Sequence, residues 1–158
     1  MPWLVLLLSL AARAESTLPE LSPDALVASS LQALSLIDQG HEGELWDKGP
    51  EMIRSMQSRE SFASGIGALR KNFGVAQKRL WQQLNLFSIR ESGPALPPVG
   101  FYVNVSFSTL TTDEAPVTES VSLAYQDGKW LPVGYFVGRP APPAKRTDGN
   151  SAQPASSP

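Results

Sequence analysis

Apolar positions recur along this chain at two spacings, and the change from one to the other divides it. From Pro23 to about Phe73 they fall three or four residues apart; from Lys78 to Val137 they fall two apart. In the first part Ser22-Pro23-Asp24 reads as a helix start, with serine as N-cap, proline at the first helical position and an acid in the first turn. Val27, Leu31 and Leu34, with Leu26, Ala33 and Ile37, form a broad apolar stripe that Gly40 terminates. A second helix is predicted over Glu42 to Gln57, carrying Leu45, Trp46, Met52, Ile53 and Met56, with a kink or short break at Gly49-Pro50. Ser58 caps a third, whose stripe is Phe62, Ile66, Leu69 and Phe73 and which Gly74 closes in a left-handed conformation.

The second part reads as strands. Trp81, Phe87 and Ile89 lie on one parity with Gln83 and Asn85, while Leu80, Leu84 and Leu86 lie on the other. Such a strand is either covered on both faces or bulged midway. Ser92-Gly93-Pro94 through Pro97-Pro98 is a loop by composition. Phe101, Val103, Val105 and Phe107 then alternate with Tyr102, Asn104, Ser106 and Ser108. Val117, Glu119, Val121, Leu123 and Tyr125 form a third strand, and Trp130 to Val137 a fourth, separated by Asp127-Gly128. A two-residue Asp-Gly link requires positive φ at both positions and predicts a type I′ hairpin. Helices followed by a four-stranded antiparallel meander give an α+β domain with the helices gathered on one face of the sheet.

The two ends differ from this middle. Trp3 to Leu10 is apolar and Ala12-Arg13-Ala14 follows, the outline of a secretory signal peptide over residues 1–14 with Glu15 as the first mature residue. No Lys or Arg precedes the apolar run, and a helix buried in the fold is the competing reading. The run is well short of the ~20 residues that cross a bilayer, so no stable membrane anchor is expected. Residues 15–22 read as a linker, 23–138 as one domain, and 139–158 as a disordered tail rich in Pro, Ala and Ser. At 158 residues the chain can build a core without disulfides, and it has no cysteine. That removes thiolate nucleophiles and cysteine-bearing zinc sites. A net charge of −2 with scattered Lys and Arg gives no footprint for nucleic acid.

Leu36-Ile37-Asp38-Gln39-Gly40 followed by Trp46, then Arg70, Phe73-Gly74, Arg79 and Gly100-Phe101-Tyr102-Val103, resembles the bacterial family known as domain of unknown function 4019. The likeness continues through Glu119-Ser120-Val121-Ser122-Leu123, Asp127-Gly128-Lys129-Trp130 and Gly134-Tyr135-Phe136, and covers about Asp24 to Val137. Phe62 departs from a pattern that favours tryptophan there, and an aromatic core role survives the exchange. The resemblance implies a secreted or periplasmic domain of the cystatin-like, nuclear-transport-factor-like cone fold, in which a curved sheet wraps a long helix and leaves a cavity. It supplies no catalytic residue.

His41, the one histidine, follows Gly40 in a polar stretch and reads as a surface loop residue. Glu42, Glu44 and Asp47 are explained as acids at a helix N-terminus. Ser64-Gly65-Ile66-Gly67 fits neither a nucleophile elbow nor a dinucleotide fingerprint. No metal or cofactor is expected. Glu119 stands on an otherwise apolar strand face, where a carboxylate is costly unless paired. Arg70 and Arg79 are its candidate partners, in an internal ion pair or a ligand-reading pair at a cavity mouth. Trp46, Tyr102, Trp130 and Tyr135 either belong to the core or line a pocket for an amphipathic ligand.

The sequence thus points to an exported, non-catalytic binding or scaffold domain whose partner is a small molecule or an envelope protein. An isomerase- or hydrolase-like enzyme is the second reading, with Asp38 and Tyr102 or Tyr135 as acid and base in a cone-fold cavity. Prediction from the pattern alone leaves Asp38 outside the cavity, at an exposed helix end. A homodimer through an outer sheet face bearing Asn104, Ser106, Ser108 and Ser122 is the third.

Overall fold

Ser22 begins the first helix as the pattern requires, its Oγ accepting from the Ala25 amide at 3.4 Å, and α1 runs Pro23–Asp38. The computed structural model of the protein describes residues 19–93, 96–113 and 115–140. The predicted signal peptide, most of the linker and most of the proline-rich tail lie outside them. Gly40 takes φ +73°, and the amides of Gly40 and His41 bond back to the carbonyls of Ile37 and Leu36 at 3.1 and 2.8 Å. This Schellman closure satisfies the last carbonyls and fixes the direction in which Asp38 leaves the helix. The buried face of α1 is Leu26, Ser30, Ala33, Leu34 and Ile37. Leu31, expected in the stripe, is exposed because that face is centred one residue further round the helix, where Ser30 takes the buried place.

The predicted second helix is two: α2, Glu42–Lys48, and α3, Glu51–Met56. Gly49 and Pro50 are both extended between them, and Pro50 cannot accept the α conformation for the residue before it. Helix α4, Arg59–Arg70, starts on the Ser58 hydroxyl and buries Phe62 and Ile66. It stops a turn earlier than its stripe suggests. Arg70 donates to the carbonyls of Phe73 and Gly74 at 3.1 and 2.7 Å, which folds the chain back. Phe73 therefore lies beyond the helix, and Leu69, within its last turn, is exposed. Gly74 is not left-handed; it is small because a Cβ there would stand 2.6 Å from the Asp113 carboxylate.

Four antiparallel strands follow in the order β1-β2-β3-β4: Ala76–Ile89, Gly100–Thr111, Pro116–Gln126 and Lys129–Gly138. Trp81 pairs with Phe107 and Gln83 with Ser106, leaving Gln82 as a bulge. The bulge exchanges the parity of β1, so Arg79 before it and Leu84 and Leu86 after it all face the same way. β1 has another register shift at Gln77, and one at Val133 on β4 repeats the device on the other edge. Bulges on both edges increase twist, and α1 touches all four strands of the curved sheet. The core joins Leu26, Leu34 and Ile37 of α1 to Val103, Val105, Phe107, Val121 and Leu123 of the sheet, with Leu45, Ile53, Phe62 and Ile66 completing it.

Candidate functional site

Asp38 occupies the last turn of α1, where the carbonyl end of the helix disfavours a negative charge, and that turn has no basic residue of its own. Its compensation comes from the sheet. Arg79 of β1 donates to both Asp38 oxygens, Nη1 to Oδ2 at 2.6 Å and Nη2 to Oδ1 at 2.9 Å. The same guanidinium turns its other edge inward to Glu119 of β3, Nε to Oε2 at 2.7 Å and Nη2 to Oε1 at 3.2 Å. Thr109, directly across from Arg79 on β2, donates to Glu119 Oε2 at 2.6 Å, and Tyr135 of β4 donates to Oε1 at 2.8 Å. Arg70 stands behind, 3.6 Å from Asp38 and 4.0 Å from Glu119.

Glu119 has 0% exposure, so its charge exists only through this shell. Burial alone would raise its carboxyl pKa. Hydrogen bonds from Arg79 and Thr109, with the Arg79 charge, outweigh burial and hold it below the usual carboxylate range. Burial likewise acts against the Arg79 cation, but hydrogen bonds to Asp38 and Glu119 prevail and raise its pKa. The Tyr135 phenol is pushed far up, first by burial and then by the Glu119 charge it faces. The cluster is a locked network: its acid is ionised, its phenol protonated and its arginines shared. It ties α1, α4 and all four strands together at one end of the sheet.

The four aromatic candidates do not gather around one cavity. Tyr135 belongs to the ion network. Trp46 of α2 donates Nε1 to the Gln57 carbonyl at 3.1 Å and carries the Arg54 guanidinium 5.4 Å over its ring. Trp130 lines a 360 Å³ groove with Glu20, Ser22 and Tyr125, between the first turn of α1 and the β3–β4 hairpin. Tyr102 alone faces an apolar cavity, of 230 Å³, shared with Met52, Met56, Phe87, Ser122 and Gly134. Chemical type alone does not place these aromatics: strand parity sends Tyr135 to the core and Tyr102 to the opposite parity. Because Phe87 and Tyr102 pair across β1 and β2, their rings stack at 5.6 Å and 18°. The Tyr102 hydroxyl donates to the Pro98 carbonyl at 2.6 Å, and burial raises its pKa.

Asp38 does not reach either tyrosine of the proposed acid–base pair. Tyr135 takes Glu119 as its partner and Tyr102 takes a backbone carbonyl. His41 is exposed at the start of α2, 3.5 Å from Glu44, and Asp47 forms a two-pronged surface pair with Arg59 at 2.9 Å. The Asp38–Arg79 contact was not anticipated, although an acid in the last turn of a helix was a signal that a cation must come from elsewhere. Thr109 continues the Val103-Val105-Phe107 parity and could have been read as facing Glu119. Met52, Met56 and Phe87 carry no such signal, since the cavity unites residues from α3 and all four strands.

A Campylobacter jejuni protein provisionally described as an NTF2-like transpeptidase resembles this chain at 14% identity and a TM-score of 0.42, over 70% of this chain and 97% of its own. No curated protein matches. The model of the family described as protein of unknown function (DUF4019) matches residues 29–135, from the middle of α1 through Tyr135. That span takes in both sides of the ion network and the walls of the apolar cavity, and the chain belongs to the DUF4019 family.

Proposed function

We propose that this protein is an exported, non-catalytic binding domain for a small apolar or amphipathic molecule, held at the cavity between α3 and the β1–β2 end of the sheet. The observation that supports it is the separation of the two polar and apolar features. The buried carboxylate is fully engaged by Arg79, Thr109 and Tyr135, whereas the 230 Å³ cavity has Met52, Ile53, Met56, Phe87 and Val133 in its walls. An acid–base enzyme of the isomerase or hydrolase kind needs a carboxyl of raised pKa inside an apolar pocket. Among the described residues no carboxyl lines this one, and Glu119 is shifted the opposite way. Native mass spectrometry of the full chain, followed by release and identification of what it carries, tests the reading. A bound small molecule recovered chemically unchanged is expected; conversion of that molecule on incubation with the protein would overturn it.

A second reading, two copies joined through the outer sheet face, is favoured by exposed Leu80, Leu110 and Phe136 on that face. They flank a ladder in which Ser106 meets Ser120 and Ser122 meets Asn104, each at 2.7 Å. Light scattering at micromolar concentration separates it from the first by mass.

A further inference from the structure

We infer that the α3 cavity selects an uncharged aromatic molecule of one or two rings that carries one N–H or O–H donor; this rests on the binding reading and specifies its ligand class. Among the described residues the walls, from Met52 to Gly134, include no charged side chain. A fatty acid or other anion would bring its head to walls with no cation to offset its desolvation. The shape points to rings. Phe87 and Tyr102 form a stacked pair, and the thioether of Met52 lies 3.7 Å from the Tyr102 oxygen. Methionine beside aromatic rings is a polarizable, adaptable surface for another ring.

Size sets the upper limit. An apolar cavity of about 150 Å³ holds one benzene ring. At 230 Å³ this one has room for a second fused ring and little more.

Besides the solvent-exposed Gln57 carboxamide, two hydroxyls stand in the wall and set its polarity. Tyr102 spends its proton on the Pro98 carbonyl, and Ser122 spends its own on Asn104 Oδ1 at 2.7 Å. Each oxygen keeps lone pairs but no free proton, so both present acceptors to the cavity. A ligand bearing one donor satisfies an acceptor there, and a pure hydrocarbon leaves it unpaired.

The chain contains three methionines, Met1, Met52 and Met56, so methionine-methyl NMR of the full chain observes this wall almost alone. Indole, 2-naphthol, naphthalene and octanoate are the probes. Indole and 2-naphthol should give saturable shifts of the Met52 and Met56 methyls. Naphthalene should bind about five-fold more weakly than 2-naphthol, the worth of one neutral hydrogen bond. Octanoate should leave both methyls unmoved. Gly134→Leu should abolish the shifts, because position 134 has ordinary room for a Cβ, 3.7 Å from Ser122 Cβ, and a longer side chain fills the cavity. Ser122→Ala tests the polarity without blocking the site and should reduce the difference between 2-naphthol and naphthalene. Octanoate binding as tightly as 2-naphthol would overturn the ligand class and leave the binding reading standing. Silence from every probe would overturn the inference; only if mass spectrometry also finds no carried molecule does the binding reading fall with it.

Discussion

At the scale of single residues, one carboxylate explains more of this molecule than any other side chain. Glu119 is sealed from solvent and accepts hydrogen bonds from Arg79, Thr109 and Tyr135. Removing it leaves a guanidinium short of its partner in the interior, so Glu119→Ala should cost about 3–5 kcal/mol. The exposed Glu91→Ala should stay within about 0.5 kcal/mol. Urea denaturation measures both, and equal midpoints would contradict the role assigned to Glu119. The pH dependence has two limbs. Glu119 has a folded pKa below its unfolded value of about 4.3, so its contribution is complete above that pH and is lost as pH falls through the folded value. Tyr135 has a folded pKa above its unfolded value of about 10, so its contribution is complete below that pH and is lost as pH rises beyond it. Tyr135→Phe should flatten the alkaline limb and only weaken the acid limb, because Arg79 and Thr109 still hold the Glu119 carboxylate, as read from stability measured across pH. Glu119 could be singled out from its parity alone. Its connection to Asp38 could not, because the two meet only when α1 is laid across the sheet.

At the scale of elements, local chemistry and packing contributed unequally. Asp127 and Gly128 have φ of +51° and +77°, the pair of left-handed conformations that a two-residue hairpin link demands. Gly128→Val puts a β-branched side chain at positive φ and should cost about 1–3 kcal/mol in chemical denaturation. Unchanged stability would mean that the turn tolerates the strain by another geometry. The Ser22 and Ser58 caps and the Gly40 closure are equally local, and each stands where the pattern placed it. The end of α4 is different: Arg70, not Gly74, turns the chain there, and it does so by capturing two carbonyls. On β1 the conflict of apolar parities was visible. That the bulge would fall at Gln82 depended on how β1 and β2 come into register.

At the scale of the whole molecule, the two functional expectations that remain concern its ends and its cavity. If residues 1–14 are a signal peptide, protein recovered from its native host should begin at Glu15, because Ala12 and Ala14 supply the small residues of a cleavage site. N-terminal sequencing decides it, and an intact Met1 on soluble cytoplasmic protein would refute export. The sequence by itself determined the order of helices and strands, the hairpin and the acid on the core-facing parity. Those follow from periodicity, caps and positive φ, which act over a few residues and are written in consecutive letters. Only the tertiary structure decided that Arg79 bridges Asp38 to Glu119. It also sent Tyr102, Trp46, Trp130 and Tyr135 to separate places and brought Met52, Met56, Phe87 and Ser122 around one cavity. Those groupings depend on strand register and on where a helix crosses a twisted sheet, so residues far apart in sequence become neighbours through the packing of the whole core.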